Sequence, residues 1–158
     1  MRSTEAVTAT LEQLSDRMEI ADLLNRYCAC IDGKDWPGLN EVFTPDAVID
    51  YTQTGGARGT LPEIRAYLAE ALDGVPSYQH MISNVDVRLD PNDGDRATAR
   101  CICHNPFRLD VGGRERVMTN GFWYIDEFVR TADGWRIRQR VQQRCYVRGP
   151  GPIHGAAR

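Results

Sequence analysis

The stretch RATARCICHNPFRLDVGGRERVMTNGFWYIDEFVR, residues 96–130, decides the fold. At its middle sits Gly112-Gly113, a two-residue turn that closes antiparallel hairpins because glycine enters positive φ without steric cost. If Val111 pairs with Arg114 across that turn, Asn105 faces Asn120, Cys103 faces Phe122 and Cys101 faces Tyr124. These pairs share one face with Ala97 and Ala99, whereas Arg100, Ile102, His104, Trp123 and Ile125 fall on the other. The first face is small on one strand and aromatic on the next, with two asparagines at its end. Packed against helices, it leaves room for a pocket with polar groups at the rim.

Working outward, Asp133-Gly134 turns the chain into a further strand over residues 135–147. Trp135, Ile137, Val141 and Val147 alternate there with Arg136, Arg138, Arg140 and Arg144, so the arginines are expected on a solvated or subunit-facing surface. Upstream, Val85, Val87 and Leu89 alternate with Asp86, Arg88 and Asp90, and Asn92-Asp93-Gly94-Asp95 joins that strand to the long one. Residues 47–51 read as a short early strand. Before the strands, Ile20, Leu23, Leu24, Tyr27, Cys28 and Ile31 follow helical spacing from Ser15, and Gly33 ends the run. Asp35-Trp36-Pro37 predicts a second, shorter helix with Leu39, Val42 and Phe43 turned inward. Thr60-Leu61-Pro62-Glu63 opens a third as a capping box, with Ile64, Leu68 and Leu72 as its stripe and Gly74 at its end. Helices first and a long meander afterwards predict an α+β domain, a curved antiparallel sheet wrapped around three N-terminal helices.

Composition bounds the partners. The 158 residues are 42% hydrophobic and 26% charged, with a net charge of −3, which predicts a single soluble domain over residues 1–158. A mildly acidic chain has no electrostatic reason to bind nucleic acid broadly. No apolar run approaches a membrane span, and residues 1–10 lack the pattern of a secretory leader, so the expected place is the cytoplasm. Five cysteines, an odd count in closely spaced pairs, read as reduced thiols in a cytosol. Cys101-Ile102-Cys103-His104 matches no zinc spacing, and strand parity turns His104 away from both thiols, so no metal is expected there.

Four polar side chains could carry chemistry. Asp32 lies four residues after Cys28 and eight after Leu24, on the buried face of the first helix, where it either caps the turn or meets a partner. His80 follows Pro76-Ser77-Tyr78 at the entry to a strand and is either a satisfied polar residue or a general base. A carboxylate on one ring nitrogen would leave the other free to take a proton, so an Asp–His pair is a minimal base. Tyr27 sits in the apolar stripe and is either core or a pocket hydroxyl. One of Asp50 and Tyr51 must face inward, and Tyr51 or Asn120 there could polarise a carbonyl.

Residues 20–43, with Arg26-Tyr27, Asp32-Gly33-Lys34-Asp35-Trp36 and Phe43-Thr44-Pro45-Asp46-Ala47, resemble the opening of the nuclear transport factor 2-like (SnoaL-like) superfamily. Asp133-Gly134-Trp135-Arg136-Ile137 resembles its closing hairpin. The resemblance spans residues 12–147, leaving 148–158 as an irregular tail, and implies a cone-shaped sheet enclosing a deep pocket. The sequence looks most like the scytalone dehydratase-like branch, which also resembles bile-acid dehydratases and a haloalkane dehydrochlorinase. That likeness matches Asp32 and His80 to a catalytic pair, Tyr51 and Asn120 to pocket residues, and implies elimination without a cofactor. Two family positions differ: Ile31 stands where scytalone dehydratase has a second tyrosine, and its second histidine falls near Phe107 instead of on His104. Ketosteroid isomerase, another relative, has its base where Tyr51 stands, so its mechanism does not carry over. The substrate implied is a hydrophobic cyclic or aromatic small molecule, contacted by Tyr27, Tyr51, Asn105, Asn120, Phe122 and Tyr124. An isomerase or polyketide cyclase using the same pocket is an alternative, as is a non-catalytic module like the small subunit of ring-hydroxylating dioxygenases. The likeness further implies a homo-oligomer, a trimer before a dimer, and a tail around Pro150–His154 over the pocket mouth.

Overall fold

Thr10 starts the first helix. Its hydroxyl accepts from the Gln13 amide at 3.1 Å while the Gln13 side chain accepts from the Thr10 amide at 3.0 Å, a reciprocal cap. Helix α1, Leu11–Asp32, therefore begins ahead of the apolar stripe and buries Ile20, Leu23, Leu24, Tyr27, Cys28 and Ile31. The computed structural model describes residues 9–150, so the tail segment expected over the pocket mouth lies mostly outside the described residues. The second expected helix is a five-residue 3-10 turn, Pro37–Glu41, with the Asp35 carboxylate accepting from the Gly38 amide at 3.0 Å. It hands over at once to strand β1, Phe43–Asp50, and has no room for an α-helical ladder. Helix α2, Leu61–Ala71, carries the Thr60–Glu63 capping box but follows two strands, β1 and β2 (Arg58–Thr60). Three N-terminal helices thus become one long helix, a tight turn and a later second helix.

The remaining strands are β3 (Ser77–Tyr78), β4 (Met81–Leu89), β5 (Arg96–Asp110), β6 (Glu115–Thr131) and β7 (Gly134–Arg148). They form one sheet in the order β2-β1-β7-β6-β5-β3, with β4 also on β5. Pairing is antiparallel except that β1 joins β7 in parallel, a departure from a purely antiparallel sheet. The sheet curls strongly into a half-barrel, and α1 lies against its β4 and β7 strands. At one end Asp16 of α1 is clamped by Arg130 at 2.6 Å and by the Trp135 indole N–H at 3.1 Å.

Across the hairpin, Asn105 pairs with Asn120, Cys103 with Phe122 and Cys101 with Tyr124. Ala97, Ala99, Cys101, Cys103 and Asn105 are all buried on the inner face. Of the register shifts elsewhere, two reverse the expected alternation of β4 and β7. In β4 the register slips between Ser83 and Asp86, with Asn84 at φ 54°, so Val85 is 37% exposed and Val87 takes the inner position. In β7, Phe128 pairs with Ile137 but Glu127 with Gln139, so one extra residue is inserted. Trp135 and Ile137 face in ahead of that bulge, and Arg140 and Gln142 face in after it. The arginine surface expected on β7 is therefore corrected: Arg138 and Arg144 are exposed, but Arg140 is fully buried.

Candidate active site

The last turn of α1 is tied down from two sides. The Tyr78 hydroxyl donates to the Ile31 carbonyl at 2.9 Å, and Lys34 reaches the Leu72 carbonyl at 2.8 Å. These ties bring β3 and the end of α2 to Asp32. Asp32 Oδ1 lies 2.6 Å from His80 Nδ1, and Oδ2 accepts from the His80 backbone amide at 3.0 Å. An ionised carboxylate only accepts, so in the neutral imidazole the proton sits on Nδ1 and the lone pair on Nε2. The imidazole is 7% exposed and borders a cavity. Asp32 is more open, at 28%, and burial together with this carboxylate pushes the Tyr78 phenol up to about 12.

The tyrosines border the same cavity, the Tyr27 ring standing edge-on to the imidazole at 6.3 Å. The Tyr27 and Tyr51 hydroxyls share a hydrogen bond at 2.7 Å, both rings being buried. Tyr51 is the inward member of the Asp50-Tyr51 pair, held by a turn in which its carbonyl accepts from Thr54 and Gly56. Gly56 is required there, because a Cβ would come within 2.8 Å of the Tyr51 Cβ. Burial raises the Tyr27 pKa, opposed by the Arg140 charge and by hydrogen bonding with Tyr51 and Tyr124. Burial and the neighbouring Tyr27 lift Tyr51 well above the ordinary phenol range, so Tyr51 stays protonated and acts as a donor.

The cavity between these walls measures about 80 Å³. Tyr27, Tyr51, Asn105, Asn120, Phe122 and His80 all border it. Tyr124 does not; it is fully buried, edge-on to Tyr27 at 5.4 Å and to Phe122 at 5.0 Å. Asn105 is spoken for on one side, since its amide donates to the Gln79 carbonyl at 2.8 Å. Sequence reasoning missed Thr54 and Gln142, which hydrogen-bond each other on the wall, the α2 residues Tyr67, Leu68 and Ala71, and Leu72 at the end of that helix. Leu68 and Leu72 were legible as an inward stripe, though not as a pocket wall. Nothing in the β7 sequence announces the bulge that turns Gln142 inward. No aspartate, glutamate, lysine or arginine borders the cavity among the described residues.

His104 lies on the outer face, its Nδ1 2.9 Å from the Tyr146 hydroxyl, away from Cys101 and Cys103. Gly121 makes room for that tyrosine, whose ring occupies the place of a Cβ. Among the described residues no three His, Cys, Asp or Glu side chains converge as metal ligands would.

Residues 12–141 match the SnoaL-like domain family. Uncharacterized proteins of Mycobacterium tuberculosis and Mycobacterium bovis are 45% identical over 137 residues, covering 87% of this chain and 90% of theirs. Among solved structures, a candidate aromatic ring hydroxylase from Novosphingobium aromaticivorans is 26% identical with a TM-score of 0.76, covering 87% of this chain and 94% of that one. A hexachlorocyclohexane dehydrochlorinase has a TM-score of 0.73 at 18% identity, covering 94% and 97%. A candidate scytalone dehydratase from N. aromaticivorans has 0.66 at 19%, covering 92% and 97%. These last two share the fold.

Proposed function

The chain belongs to the SnoaL-like domain family, and on that premise we propose that it is a cofactor-independent lyase of the dehydratase type. The observation that carries this reading is the doubly held His80, whose ring borders the cavity with only Nε2 left to take a proton. His80 abstracts a proton from a carbon activated by a neighbouring carbonyl or leaving group, and Asp32 stabilises the imidazolium that forms. Tyr51 donates to the oxygen on which charge develops or to the departing group, usually water, with Asn120 on the adjoining wall. The substrate is neutral, since no aspartate, glutamate, lysine or arginine borders the cavity among the described residues. A cavity of about 80 Å³ is about half of the roughly 150 Å³ that houses a benzene, so the pocket encloses only the reacting edge of a compact, single-ring substrate, whose remainder lies at the mouth. The same proposal includes self-association, a trimer before a dimer, read by light scattering on the purified protein.

The test is turnover. Incubated with neutral cyclic hydroxy-carbonyl compounds, the protein is expected to release a product lighter by one water. His80→Ala is expected to slow this by about 10²–10⁴. Undiminished elimination in that variant overturns the role of His80, and a product of unchanged mass makes the enzyme an isomerase or cyclase instead.

A further inference from the structure

Arg140 and Asp126 form an ion pair inside the wall that backs the pocket. Arg140 Nε and Nη2 each donate to one Asp126 carboxylate oxygen at 2.7 Å, and the two residues are 0% and 1% exposed. Nη1 is buried without a hydrogen-bond partner. The guanidinium instead lies over the Tyr27 ring at 3.9 Å and over the Tyr124 ring at 4.0 Å. Such a pair is a poor device for stability, because desolvating both charges offsets most of their attraction. It also sits inside only because of the β7 bulge, and bulges beside functional sites commonly re-aim a side chain. Its effect on the pocket is direct. A cation fixed on the face of a phenol draws electron density from the ring and makes the hydroxyl a stronger donor.

Resting on the proposed lyase reading, we propose that the Arg140–Asp126 pair is a positioning and polarising element of the pocket: it acts through Tyr27 to strengthen the Tyr51 hydroxyl as a donor to an oxygen anion on the bound molecule. Asp126 fixes the guanidinium plane, Arg140 polarises Tyr27, Tyr27 donates to the Tyr51 oxygen, and Tyr51 donates its own proton into the cavity. Each bond in such a chain strengthens the next. Arg140 touches no ligand, since it does not border the cavity.

The experiment uses two ring-sized probes, 4-nitrophenolate and nitrobenzene, which differ at the oxygen anion. Wild-type protein is expected to bind nitrophenolate about tenfold more tightly than nitrobenzene and to shift its visible absorption band. Two neutral replacements of the pair, Arg140→Gln with Asp126→Asn and Arg140→Met with Asp126→Leu, guard against loss of folding in either one. In whichever folds by circular dichroism, the preference is expected to fall to about twofold with nitrobenzene affinity unchanged. Arg140→Lys, which keeps the charge, is expected to retain most of it. Tyr51→Phe removes the preference, and neutralising the pair on top of Tyr51→Phe removes nothing further. Equal loss of both probes, additive effects with Tyr51→Phe, or a wild type that does not prefer nitrophenolate overturns the proposal. None of these outcomes depends on turnover, so the lyase reading stands or falls separately on His80→Ala.

Discussion

Asp32 grips His80 at two points, the ring and the backbone amide, and the two contacts do different things. The amide contact places the residue; the ring contact selects the tautomer and supplies a negative charge for the imidazolium. Asp32→Asn separates them, because an amide oxygen still accepts from the backbone but no longer carries charge. Turnover is expected to fall by about 10²–10⁴ with KM little changed. Nitrogen NMR of the imidazole, run alongside, is expected to show the tautomer no longer fixed. A normal kcat in Asp32→Asn would reduce Asp32 to a cap on the α1 turn. Both readings were open in the sequence: helical spacing puts Asp32 on the buried face, but periodicity measures no distance between residues 48 apart. Only the family resemblance joined the two. Arg140 shows the opposite failure. A charged residue in an alternating strand reads as solvent-facing, and its burial depends on a partner, Asp126, that strand parity alone does not link to it.

At the scale of elements, the β5–β6 hairpin was legible because one local signal set its whole register. Gly112 and Gly113 have φ of 63° and 75°, both in the region that a primed two-residue turn demands. Once the turn is placed, period-two alternation carries the register along both strands. Neither glycine has anything within 4 Å of where a Cβ would stand. Asparagine tolerates the first position and restricts the unfolded chain, so Gly112→Asn is expected to raise stability by about 0.4–1 kcal/mol. The urea midpoint measures this, and a lower midpoint would mean that the turn is not of the primed type. Strands β4 and β7 were less legible, since a bulge reverses every side chain beyond it. Asn84 is a residue type that accepts the positive φ of the β4 bulge, yet a lone asparagine in a polar run is too weak a sign. In β7 the inserted residue falls in Arg138-Gln139-Arg140, where no glycine or proline marks it. The second helix is a 3-10 turn for a different reason: Asp35 accepts from the Gly38 amide as its cap, but β1 begins too soon for an α-helical ladder to follow.

For the whole molecule, the small side chains that shape the inner wall include thiols, and this couples the architecture to alkaline pH. Cys28, Cys101 and Cys103 are free and buried. Burial pushes the Cys28 thiol up to about 11 and the Cys101 thiol to about 12, with Cys103 raised further still. Tyr27, Tyr51 and Tyr124 are likewise raised, chiefly by burial. Above the ordinary thiol value of 9.0 the unfolded chain loses these protons while the folded chain keeps them. The folded state then binds more protons than the unfolded, so stability falls as pH rises, by about 1.4 kcal/mol per pH unit for each such group. The loss opens near pH 9 and, for Cys28, ends near its folded value of about 11. The three thiols act together in that interval, and the tyrosines join them above the ordinary phenol value of 10.0. Urea midpoints followed from pH 7 to pH 11 are expected to be flat to about pH 8.5 and then to drop steeply. Replacing Cys28, Cys101 and Cys103 with alanine lowers stability at neutral pH through the lost sulfur packing, but it is expected to flatten the drop between pH 9 and 10. An equally steep decline in the alanine variant would trace alkaline unfolding to groups other than the thiols that line the inner face of β5 and α1.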